Sequence, residues 1–76
     1  MKHFIKTVYG ELINVRYIER VAIHSYSYDV KDGEYGVIAF TADYEDGKNY
    51  YTLYRSTSKA RCERYIERFY EDQNSG

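Results

Sequence analysis

Residues 3–9, His-Phe-Ile-Lys-Thr-Val-Tyr, read as a β-strand that Gly10 closes. The segment Leu12-Ile13-Asn14-Val15-Arg16-Tyr17-Ile18-Glu19-Arg20-Val21 follows a different rhythm. Its apolar residues at 15, 18 and 21 recur every three positions, which predicts a short helical turn around 14–18 and then a strand from about 19 to 28. Asp32-Gly33 and Asp46-Gly47 are two-residue hairpin signals, and they predict strands at 36–44 and 48–55. From Lys59 to Asp72 the apolar positions 62, 65, 66, 69 and 70 mark one face of an α-helix. Ser56, Thr57 and Ser58 are its candidate N-caps, with no capping-box acid three residues on from any of them. Arg61, Glu63, Arg64, Glu67, Arg68 and Glu71 are expected to point largely to water. The predicted fold class is α+β: a three- to four-stranded antiparallel sheet with one C-terminal helix packed on one face. Residues 1–72 form a single domain in this reading, and the tail 73–76 frays.

Turn chemistry predicts a register. A two-residue turn at Asp46-Gly47 pairs Glu45 with Lys48, Ala42 with Tyr51, Phe40 with Leu53 and Ile38 with Arg55, and that apolar face is expected to meet the helix. Asp43 with Tyr50, Thr41 with Thr52 and Ala39 with Tyr54 then occupy the opposite face. Side chains alternate along a strand, so Tyr50 and Tyr54 join Leu53 inside only if a bulge intervenes. The same rule at Asp32-Gly33 pairs Tyr28 with Val37 and Tyr26 with Ala39, which adds two tyrosines to the uncovered face. It also turns Ser25 and Ser27 inward, and a one-residue change in that loop reverses the assignment. One helix covers one face, so the other needs water, a partner or a second copy.

Composition sharpens this picture. Seventy-six residues make one domain with a small core, and Cys62 stands alone, so no intramolecular disulfide staples it. The chain carries eleven Tyr, three Phe and no Trp, a bias towards the side chain that keeps its ring buried and its hydroxyl wet. Interfaces are enriched in Tyr, although Tyr is also a good strand former. No segment resembles a signal peptide or a membrane span, which predicts a cytoplasmic, reducing setting.

The residues offer no catalytic constellation. Cys62 falls on the apolar stripe of the helix, where a lone Cys behaves as a small hydrophobe. His3 and His24 are 21 residues apart and give no zinc spacing. Asp43-Tyr44-Glu45-Asp46-Gly47 has the acids of a calcium loop without its 12-residue frame. The five glycines stand singly, so no phosphate loop is formed. The expectation is a non-enzymatic chain without cofactor or metal.

Charge points to binding. Net charge is −1, but residues 29–46 hold six acids against one base, and residues 48–68 hold six bases against two acids. Asp29, Asp32, Glu34, Asp43, Glu45 and Asp46 concentrate at the two predicted hairpin tips, which attract and orient a basic partner. With Tyr50 and Tyr54 they form the predicted protein-binding residues. The alternative is single-stranded nucleic acid stacked on the Tyr face, with Arg55, Lys59, Arg61, Arg64 and Arg68 as a basic edge. Against it, the helix bases are interleaved with Glu63, Glu67 and Glu71. A third reading makes the Tyr face the interface of a homodimer.

The segment 11–21, then a strand, the Asp46-Gly47-Lys48-Asn49-Tyr50 hairpin and a closing helix, resembles many short proteins of bacterial and prophage genomes. The chain is similar in kind to phage-encoded inhibitors of host defence, anti-CRISPR proteins among them, which are tiny, acidic in patches and non-enzymatic. Several of these present phosphate-like carboxylates to a nucleic-acid channel. The resemblance implies a larger basic protein or nucleoprotein complex as partner, and the six acids as the mimic surface.

Overall fold

The first hairpin forms because Thr7 and Gly10 supply what a tight reversal needs. The Thr7 hydroxyl accepts the N–H of Tyr9 and of Glu11, each at 3.2 Å, and Gly10 takes φ +86°, a left-handed conformation that a Cβ disfavours. The computed structural model describes residues 3–25, 33–41 and 50–74. Strand β1 (Phe4–Lys6) returns as β2 (Leu12–Asn14), with Ile5 opposite Ile13. The first strand is therefore shorter than the predicted 3–9, and Leu12–Asn14 is a strand that periodicity missed. Three residues are too few for alternation to stand out.

The turn expected around 14–18 is a 3₁₀ helix, Val15–Tyr17. Its spacing of three is the 3₁₀ repeat. Asn14 begins it by accepting the Arg16 N–H on its side chain at 3.1 Å.

Strands β3 (Ile18–His24), β4 (Tyr35–Thr41) and β5 (Tyr50–Ser56) form an antiparallel meander in that order. Both predicted registers are overturned. Phe40 pairs with Tyr50 instead of Leu53, a shift of three positions, and Ala39 pairs with Val21 instead of Tyr26, a shift of five. Val21 and Ile23 thus hold the places opposite Ala39 and Val37 that the two-residue turn assigned to Tyr26 and Tyr28. Ser25 lies outside β3 and is exposed, so it is not turned inward. Tyr26, Ser27, Tyr28, Asp32 and the second Asp-Gly pair lie outside the described residues.

Helix α1 (Lys59–Asn74) starts at Ser58, whose hydroxyl accepts the Arg61 N–H at 3.3 Å. Cys62 and Phe69 are buried, Tyr65 and Ile66 half-buried, and Tyr70 lies largely outside. The helix joins Cys62 to Val37, Ala39 and Leu53 in the core, with Ile5, Ile13, Val21 and Ile23 packed around them. It thus covers the Val37/Ala39 side of β4, not the Ile38/Phe40 side that the turn rule selected. A bulge lies between the Val37–Tyr54 and Ile38–Thr52 pairs, with Leu53 as the extra residue. Tyr54 is thereby turned onto the helix side together with Leu53, whereas Tyr50 stays opposite Phe40 on the other side.

Among the described residues that other side is not an open tyrosine face. Ile38 is fully withdrawn from water and Thr52 is buried beside it. The Arg20 guanidinium lies 4.0 Å over the Phe40 ring, and His24 meets the same ring at 5.7 Å.

Candidate functional site

Meander topology decides where the connections that carry the predicted acidic tips join the sheet. The connection 25–34 enters β4 at Tyr35 and the connection 42–49 leaves it at Thr41. Seven strand residues place these ends about 20 Å apart. Asp29 and Asp32 fall in the first of these connections and Asp43, Glu45 and Asp46 in the second, and the two join β4 at opposite ends. Those five residues lie outside the described ones. Glu34 is described, and it is no open tip residue: it is half-buried, and its Oε1 is removed from water without a hydrogen-bond partner among the described residues.

Tyr54, assigned to the uncovered face, stacks instead on Tyr65 of the helix, with ring centroids 5.1 Å apart and planes 10° from parallel. Together the two rings line a groove of about 330 Å³ with Arg61, Arg64 and Arg68. Tyr50 is half-buried opposite Phe40 and joins neither this groove nor the next.

The first hairpin builds a second groove, of about 350 Å³, lined by Phe4, Leu12, Ile13, Asn14, Tyr17, Thr41 and Tyr51. Pairing Ile5 with Ile13 inward turns Phe4 and Leu12 outward, 56% and 65% exposed, and the 3₁₀ helix adds Tyr17 at 51%. Thr41 is the last described residue before Asp43, Glu45 and Asp46, so that acidic connection leaves from the rim of the groove. Reading the hairpin residues only as strand and turn formers missed this patch. The available signal was the doublets Phe4-Ile5 and Leu12-Ile13: a two-residue apolar run in a strand must put one side chain on each face. A third groove, about 590 Å³, runs between Val15–Val21 and the end of α1 and mixes Arg20 with Glu19 and apolar Ile18, Phe69 and Tyr70.

Cys62 is buried, and its thiol donates to the Tyr35 carbonyl at 3.6 Å. Burial pushes the thiol above its ordinary value near 9, and Glu63 adds in the same direction; burial alone pushes the Tyr65 phenol above 10. Both groups keep their protons longer in the folded chain than in the unfolded one. Their contribution to stability is full below the unfolded values and is lost as pH rises through the folded ones. The urea midpoint should therefore fall above pH 9, first through Cys62 and then through Tyr65, and Cys62→Ala should remove the first part of the fall. A midpoint that rises over that range would contradict the burial of both groups.

Among the described residues no three His, Cys, Asp or Glu side chains are grouped as a metal site, and no helix is long and apolar enough to cross a membrane. No family model, curated protein or solved structure matches the chain.

Proposed function

We propose that this chain is a small non-enzymatic protein-binding module that occludes or adapts a larger basic protein of a nucleic-acid-handling complex, in the manner of a phage or mobile-element inhibitor of the anti-CRISPR kind. The observation that carries the reading is the groove flanked by Phe4, Leu12 and Tyr17, with three acids against one base in the connection leaving its rim. A chain of 76 residues has little apolar material for its own core, yet this hairpin turns large side chains to water. Clustered exposed apolar residues beside charged ones mark interaction sites. Shape and apolar area hold the partner, and the carboxylates steer a basic surface towards the groove.

The partner is identified by pull-down from cell extract with and without nuclease. A basic protein retained after nuclease supports the reading; recovery that requires intact nucleic acid removes it. Self-association through the same groove is the competing occupant, and a dimer by sedimentation that Leu12→Asp dissolves would reassign it. Reversing Asp43, Glu45 and Asp46 to Lys should slow association at least about tenfold at low salt and flatten its salt dependence. An unchanged rate would discard the electrostatic part.

A further inference from the structure

The interleaving of acids and bases along α1 disappears once the helix is wound. At about 100° per residue, Arg61, Arg64 and Arg68 fall in one arc of about 60° beside Tyr65, while Glu63, Glu67 and Glu71 fall in the adjoining arc, farther from Tyr65. The bulge in β5 then brings Tyr54 onto Tyr65, so three guanidinium groups edge a stacked pair of aromatic rings. No carboxylate lines this groove among the described residues. All three arginines are exposed, and Tyr54 and Tyr65 are each half-buried, which leaves part of each ring accessible.

We infer that this groove holds single-stranded nucleic acid, with the Arg stripe on successive phosphates and the tyrosine pair beside a base. The stripe from Arg61 to Arg68 runs about 10 Å along the helix, longer than one phosphate group and suited to a run of them. Guanidinium groups take phosphate oxygens in a bidentate fork, and an aromatic platform beside a basic track is how sequence-tolerant single-strand sites are built. The site lies at the helix edge of β5, away from the sheet surface where Tyr50 stands, and it is independent of the hairpin groove proposed for a protein partner.

The test is fluorescence anisotropy of a labelled mixed-sequence oligonucleotide of about a dozen nucleotides, titrated with the full chain from about 50 mM salt upward. Three phosphate contacts predict a slope of log affinity against log salt of about −2, and each of Arg61→Ala, Arg64→Ala and Arg68→Ala should reduce its magnitude by about 0.7. Arg16→Ala, on the 3₁₀ helix, is the control and should leave the slope unchanged. All four side chains are exposed, so circular dichroism should report intact folding in each variant. Absence of binding at low salt would overturn the inference, as would slopes indifferent to the three helix substitutions. Equal competition by inorganic phosphate would reduce the site to a single-anion site, and equal affinity for the duplex would remove the single-strand assignment.

Discussion

Ile38→Ala should cost about 2–5 kcal/mol of folding stability. Ile38 sits in the central strand between Ala22 and Thr52, and none of its surface reaches solvent. Shortening it removes apolar area from the interior and leaves a void that neighbours on a hydrogen-bonded strand cannot easily fill. A chain of 76 residues is expected to have roughly 4–11 kcal/mol in total, so the loss is a large share and its upper end approaches unfolding at room temperature. Urea denaturation followed by circular dichroism at several protein concentrations reads the effect. A concentration-independent drop in midpoint means that one chain by itself keeps the side away from the helix dry. A drop no larger than that of Arg16→Ala would show that Ile38 is not core. A cost that varies with concentration would place a second copy over this side.

Leu12→Asp should leave the chain folded and weaken partner capture by at least about 30-fold. Leu12 is 65% exposed, so its replacement removes little from the core. In a complex the same side chain would be among the most deeply covered. Truncating a central anchor costs about 2 kcal/mol or more, and a carboxylate left against an apolar surface adds its desolvation to that loss. Phe4→Asp on the same side of the hairpin should behave alike, whereas Ile5→Asp, on the inward side, should unfold the hairpin and its packing on α1. Isothermal titration against the captured protein separates these cases. Undiminished affinity of a folded Leu12→Asp variant would dismiss the groove as the binding surface.

The extent to which the molecule is legible in its residues varies by element. The helix is read almost to its ends, because five apolar positions at helical spacing leave one face for the sheet and Ser58 supplies the cap. The 3₁₀ helix follows from apolar residues three apart. The α+β class follows from strands, turns and one closing helix in that order. The registers are not legible, because Asp-Gly alone predicts a two-residue turn, and an error of an odd number of positions exchanges the two sides of a strand. Val37 and Ala39 changed places with Ile38 and Phe40 for that reason. β4 is apolar on both sides, so its composition could not choose between them.

Alternation along a strand, helical periodicity and local capping are properties of neighbouring residues, and the sequence by itself determined them: the element types apart from the short strand Leu12–Asn14, the helix face, the burial of Cys62 and the acidic and basic halves of the chain. Everything that depends on residues far apart was decided only in the tertiary structure. The meander fixes which ends of β4 the two connections join, the bulge beside Tyr54 delivers that ring to Tyr65, and helical winding separates Arg61, Arg64 and Arg68 from the glutamates between them. The pairing of β1 with β2 turns Phe4 and Leu12 outward. A site is a meeting of distant residues, and loop length, strand pairing and bulges choose which ones meet.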